Sequence, residues 1–512
     1  MPCYKINKRV ERGWRDYLHP LKVLLIGTLV AASAAACGSG GGSGTGSESA
    51  TKLTVGFTQE PADWNFLRNS STAVRSLLFY NVLEPLIEQN EDGSFKPLLA
   101  ESYQVDTSGT QYTFKTRDAH FHTGAPVTAA DVVYSLNAAK SSTLSTISGP
   151  LSVVRQVEEL DPRTVRVTLT KPSQAFLTSI SKDVAIIPQG SAESLSKNPV
   201  GTGPFVFSDW QHGVRVSLTS NENYWGAKPK IREVTWRFFT DKNAALNALL
   251  AHDVDVMPAV QSKQQVRKAE ATPGLASDPV SGSEIGYISL NAKDSKLQNP
   301  AVRQAIAYAV DRNTFVQGID GIATPTCAMV NPPNQPWNTN HCPYPYDPAR
   351  ARQLLASVGI QNLTLQFPYI GSSYSTWMQI VSQQLKDVGV TLEPINLDLA
   401  TYVDRVLTKT DYEATVISGP QQIDSWKCPG FFTGACLKQF DDLLARADTA
   451  KDRTQWADLR RQAVELHADQ AYLIPLATIG QSVLHTDQVT GIKRFSVASE
   501  FDLRAIRWVD GK

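Results

Sequence analysis

Charge of one sign is what this chain most plainly lacks: 49 Lys and Arg stand against 49 Asp and Glu. The two signs are mixed along the chain, which removes any electrostatic case for nucleic acid or for broad adhesion to anionic lipid. The apolar run from Val23 to Ala36 falls short of the about 20 residues that span a bilayer. Catalytic signatures are missing too. There is no Walker-type phosphate loop, no serine elbow between spaced glycines, and no histidine pair flanking Glu at zinc-protease spacing. His120 and His122 alternate and would share one strand face, but no third ligand adjoins them. Gly201-Thr202-Gly203 is too short for a dinucleotide loop and no helix pattern follows it. The expectation is a protein that is not an enzyme and uses no metal or cofactor.

What is present begins with an export signal. Lys5, Lys8, Arg9, Arg12, Arg15 and Lys22 precede the apolar run, and Ala34-Ala35-Ala36-Cys37 closes it. A cationic segment, an apolar segment and small residues occur in secretory order. The last four residues resemble a bacterial lipobox, with Ala34 where leucine is usual; in that motif the cysteine is acylated and becomes the first residue. A Gly/Ser-rich stretch follows and behaves as a flexible tether. The expected layout is a signal peptide over 1–36, then a lipidated Cys37 with its tether over 37–51. The mature chain would sit at the outer face of the bacterial cytoplasmic membrane, anchored by lipid; plain secretion and then an uncleaved anchor are the alternatives.

Beyond the tether, 42% hydrophobic and 19% charged residues are ordinary for a globular protein, and the length suits two or more domains. Leu53–Phe57 reads as a buried strand, whereas 112–117 and 164–169 alternate with period two. Apolar residues from Thr72 to Leu86 fall at helical spacing. Thr128 with Asp131 resembles a capping box, and Asn299-Pro300 and Asp347-Pro348 each place a capping side chain before a first-turn proline. Gly359 is placed to end the helix that starts at Pro348. With Cys3 in the discarded segment, Cys327, Cys342, Cys428 and Cys436 are left for the folded part. Three connectivities are open; local pairing, Cys327 with Cys342 and Cys428 with Cys436, suits an oxidising compartment.

Several blocks then carry a family resemblance. Phe95-Lys96-Pro97-Leu98-Leu99-Ala100-Glu101-Ser102-Tyr103, the strand 112–117, and the run from Phe121 to Leu136 are similar to the signature of the extracellular solute-binding proteins of the peptide and nickel type. Pro199 to Phe205 with Asn223-Tyr224-Trp225, the run Asn299 to Arg312, and Tyr346-Asp347-Pro348 leading to Leu355 agree in order. Such proteins are capture subunits of ABC importers. The resemblance implies an α/β, two-lobed, periplasmic-binding-protein-like (Venus flytrap) fold with an extra subdomain inserted in the first lobe. Lobe I is assigned to 52–289 plus 481–512, with the subdomain at about 68–200, and lobe II to 290–480. The implied partners are a small solute, a membrane permease and an ATPase, with the chain acting as a monomer.

In peptide binders of the family an aspartate pairs with the ligand's amino terminus, and Asp424 stands where it is expected, beside Gly419 and Trp426. Ser425 departs from the usual proline. Dipeptide binders add an arginine for the ligand carboxylate, yet no arginine lies between Arg352 and Arg405, which favours an oligopeptide or a neutral ligand. Trp64, Trp337, Tyr374, Trp377 and Trp426 fall in segments expected to border the cleft, where they could stack on sugars or peptide side chains. The leading expectation is peptide capture and delivery. An oligosaccharide binder and a ligand sensor without transport are the alternatives.

Overall fold

The computed structural model describes residues 51–91, 93–329, 336–420, 423–430, 433–450, 452–493 and 500–509. The signal segment, Cys37 and the tether lie outside the described residues. One mixed sheet organises the molecule, in the spatial order Ala414–Pro420, Leu275–Leu290, Leu473–Thr486, Val256–Val260, Lys52–Phe57, Glu233–Phe238, Arg215–Ser220, Phe205–Gln211. Lys52–Phe57 is flanked on both sides by parallel strands. The two longest strands, of 16 and 14 residues, run antiparallel to each other through the middle of the sheet.

Local chemistry explains most element boundaries. The strands Gln111–Thr116 and Thr164–Leu169 bury Tyr112 and Phe114, and Val165, Val167 and Leu169, on one face. They belong to a second, four-stranded antiparallel sheet with Ala100–Val105 and Val154–Asp161. At the helix Ala129–Lys140, the Asp131 carboxylate accepts from the backbone N of Thr128 at 2.9 Å and from its hydroxyl at 2.6 Å. Asn299 and Asp347 cap helices that begin at Pro300 and Pro348. Gly359, at φ +75°, follows the helix Pro348–Ser357.

The helix expected from Thr72 to Leu86 is corrected: it ends at Leu78. Tyr80 turns to φ +66°, and the Asn81 amide donates to the Leu77 carbonyl at 3.1 Å and to Phe501 O at 2.8 Å. Pro85, four residues on from Asn81, would forbid a continuous helix in any case. Apolar spacing alone could not separate a helix from a buried turn that leads into the strand Ile87–Gln89.

That turn anchors a polar knot. Glu84 is wholly buried and accepts from Tyr224 OH at 2.7 Å, Thr202 Oγ1 at 2.7 Å and Trp225 Nε1 at 2.9 Å. Burial pushes its carboxyl up, opposed by those three donors. Gly201 and Gly203 are required for close approach: a Cβ there would stand 2.1 Å from Val82 O and 2.4 Å from Asn81 O. His122 bridges the same loop, its Nδ1 accepting from Gly201 N at 3.3 Å while Nε2 donates to Gly203 O at 3.0 Å. Burial holds this imidazole down, to about 4. Glu88 lies beside the knot; burial pushes it up, but Arg504 at 2.8 Å and Lys493 at 3.1 Å pull it below its ordinary range.

Apolar cores follow the same division of the chain. One gathers residues 53–280 with 483–506. Two others draw on 288–479 and 285–473, and a smaller one joins 245–275 to Leu484. Cys327 is bonded to Cys342 and Cys428 to Cys436, closing separations of 15 and 8 residues.

Candidate functional site

A cavity of about 230 Å³ opens beside the long central strands. It lies at the carboxyl ends of Lys52–Phe57 and Val256–Val260, where Thr58, Gln59 and Gln261 leave the sheet. Open sheets bind ligands at such ends because the loops there diverge and leave polar backbone unpaired. Ala259 holds φ +59° in the cavity wall, at a register shift between Met257 and Val260. A non-glycine residue in the left-handed region is strained. Polar side chains converge here from distant parts of the chain: Lys242, Glu284, Gln481, Lys493 and Asp502.

Asp502 and Lys493 already serve one another, at 3.6 Å, and Asp502 also meets Arg504 at 2.7 Å. Glu284 differs. Its Oε2 accepts from Ser418 Oγ at 3.1 Å, and Ser418 N in turn donates to the Tyr374 hydroxyl at 3.0 Å. Tyr374, one of the expected ligand contacts, therefore reaches the cavity through Ser418. Gly419 pairs with Ile285 on the strand that carries Glu284, and among the described residues a Cβ placed on it would meet nothing within 4 Å.

Asp424 is half-exposed but not vacant. Its Oδ2 accepts from Arg460 Nη2 at 2.8 Å and its Oδ1 faces Lys427 Nζ at 3.1 Å. Burial pushes this carboxyl up, yet Arg460 and then Lys427 pull it down further, to about 2. Lys427 also approaches Asp448, at 3.6 Å, and Asp448 meets Lys171 of the four-stranded-sheet region at 3.6 Å.

The tryptophans are placed otherwise than the sequence suggests. Trp64 is fully buried, edge-on to Phe207 and Trp210. Trp377 packs against Phe315 and covers Gly286, where a Cβ would come within 2.6 Å of its ring. Trp426 stacks on His467 at 4.6 Å beside Phe440, and buried Trp337 lies under Arg460. Each fills a core, so none offers an open stacking face to a ligand in this conformation. Their size is the reason: a residue that buries this much apolar area is drawn to the core unless a loop holds it out.

Sequence reasoning missed Glu284, Lys242 and Arg460. Glu284 carries one faint signal, a charge set between Ser281-Gly282-Ser283 and Ile285-Gly286-Tyr287-Ile288.

Two long paired strands thus cross a mixed sheet, and a polar cavity lies against both. The family model for bacterial extracellular solute-binding proteins, family 5 (middle region) matches residues 94–432, and the chain belongs to that family. The glutathione-binding protein GsiB of Escherichia coli (strain K12) is 28% identical over 467 residues, covering 85% of this chain and 89% of that protein. The dipeptide-binding protein of the same strain is 26% identical over 434 residues, covering 74% and 80%. Among solved structures, the ABC transporter substrate-binding protein CtaP of Listeria monocytogenes superposes with a TM-score of 0.79 at 24% identity, over 90% of this chain and 99% of that one. The fold is the two-lobed periplasmic-binding fold, and the chain is an extracellular binding protein, not an enzyme.

Proposed function

We propose that the chain captures a peptide between its lobes and delivers it to the permease and ATPase of an ABC importer. The lobes are 52–289 plus 481–512, with the inserted subdomain at about 68–200, and 290–480. Two features support that division: the apolar cores draw on the chain in the same two groups, and the paired strands Leu275–Leu290 and Leu473–Thr486 link them. The observation that carries the peptide reading is the mixed charge of the cavity, where Glu284 and Lys242 line one space. A peptide presents an ammonium and a carboxylate together. The names of two relatives, one binding glutathione and one dipeptides, agree with this. Lys242 also offers a carboxylate partner in place of the missing arginine, so short peptides fit as well as longer ones. The sugar-binding alternative loses its motive, because the tryptophans that suggested it fill cores.

Lipid on Cys37 would hold this capture domain near the permease and raise the concentration of one at the other. Native purification and mass spectrometry of the co-purified ligand test the cargo: peptides are expected, and a sugar without peptide would overturn the reading. Fatty-acid labelling tests the anchor, with label expected in the full chain and lost in Cys37→Ala; a labelled variant would remove it.

A further inference from the structure

The geometry points to Glu284, not Asp424, as the residue that receives the ligand's α-ammonium. This rests on the peptide reading and names its anchoring residue.

The case begins with the backbone. Along the long central strand, Val280 pairs with Gln481 but Glu284 with Ile479, so four positions on one strand answer two on the other. The two residues in excess within 281–283 force a bulge, and bulges re-aim the side chain that follows them. Glu284 is also where pairing with Ala414–Pro420 ends, opposite Pro420. It thus stands at the point where a strand leaves the sheet and a cavity begins, and it lines that cavity.

Its electrostatic setting is the second argument. Asp424 has Arg460 and Lys427, and Asp502 has Arg504 and Lys493. Glu284 has a neutral hydroxyl, Ser418 Oγ at 3.1 Å, and forms no ion pair among the described residues. A half-buried carboxylate without a cation becomes costly once closure excludes water. An ammonium entering the cavity would meet that need with a charge-assisted bond. The hydroxyls of Ser418 and Tyr374, 3.0 Å apart, supply further acceptors for its remaining protons. Receiving the same ammonium at Asp424 would require displacing Lys427.

The test titrates the full chain with an equimolar random tripeptide mixture and with the same mixture N-acetylated. Wild type should bind the free-amine mixture roughly 10- to 100-fold more tightly than the acetylated one. Glu284→Gln should treat the two mixtures alike while keeping the wild-type affinity for the acetylated one, which also shows that it is folded. Ser418→Ala, which removes a hydroxyl that both orients Glu284 and accepts from the ammonium, should lose part of the preference. Asp424→Asn should retain it. If wild type binds neither mixture, the peptide reading falls and the ammonium subsite with it. If wild type prefers the free amine and Glu284→Gln keeps that preference, peptide capture stands and the assignment to Glu284 is overturned.

Discussion

Around Glu84, every oxygen of a buried carboxylate meets a donor, two glycines let backbones touch, and a histidine spends both ring nitrogens on that contact. Beneath Asp424 the packing is looser in its polar bookkeeping. Among the described residues, Arg460 leaves its Nε, and His467 both ring nitrogens, buried without a hydrogen-bond partner. Asp424 and Lys427 share out their charges with Asp448 and Lys171 across the surface. The first region builds the fold, and its groups are satisfied once and for all. The second keeps residual polar need inside its core, beneath a carboxylate that is already paired.

The largest test of that contrast is Gly203→Ala. Its Cβ would lie 2.4 Å from Asn81 O, a backbone atom that cannot swing aside, so a loss of about 3 kcal/mol or more is expected in urea unfolding. An unchanged midpoint would show the knot to be pliable. His467→Leu probes the other side. Burial holds the His467 imidazole down to about 4, so the unfolded chain takes up a proton near pH 6.5 that the folded chain refuses. Stability therefore falls as pH drops from about 6.5 through 4, by roughly 3 kcal/mol in full. Unfolding measured at pH 7 and pH 4.5 should show a smaller acid loss in the Leu variant than in wild type, His122 contributing equally to both. Equal losses would mean that His467 is not held neutral. The smallest effect belongs to Lys171→Ala, which removes an exposed ion pair with Asp448 and should change stability by less than about 1 kcal/mol. A larger drop in the urea midpoint would make that pair a structural joint between the two regions.

The same contrast separates what could be read from the sequence. Period-two alternation found the strands at 111–116 and 164–169, and the caps at Thr128, Asn299 and Asp347 found their helices, because these depend on neighbours in the chain. The blocks that carry the family resemblance, Pro199 to Phe205 and Asn223-Tyr224-Trp225, meet at Glu84 and are scaffold. Glu284 was invisible because a register shift, set by pairing with residues almost 200 positions away, decides where it points. Asp424 was visible as a residue but not in its setting, since Arg460 reaches it from another helix. Tryptophan is hard to place for a related reason: sequence shows how much apolar area a residue carries, not whether a core is near enough to take it.

The first core contains Val483, Phe501, Leu503 and Ile506 beside Leu53 and Val55. On a ribosome adding about 5–20 residues per second, Leu53 waits upwards of roughly 20 s for its last neighbours. Residues 288–479, by contrast, supply every member of a core of their own. The segment that opens the folded part thus cannot complete its core until residues 483–506 have arrived.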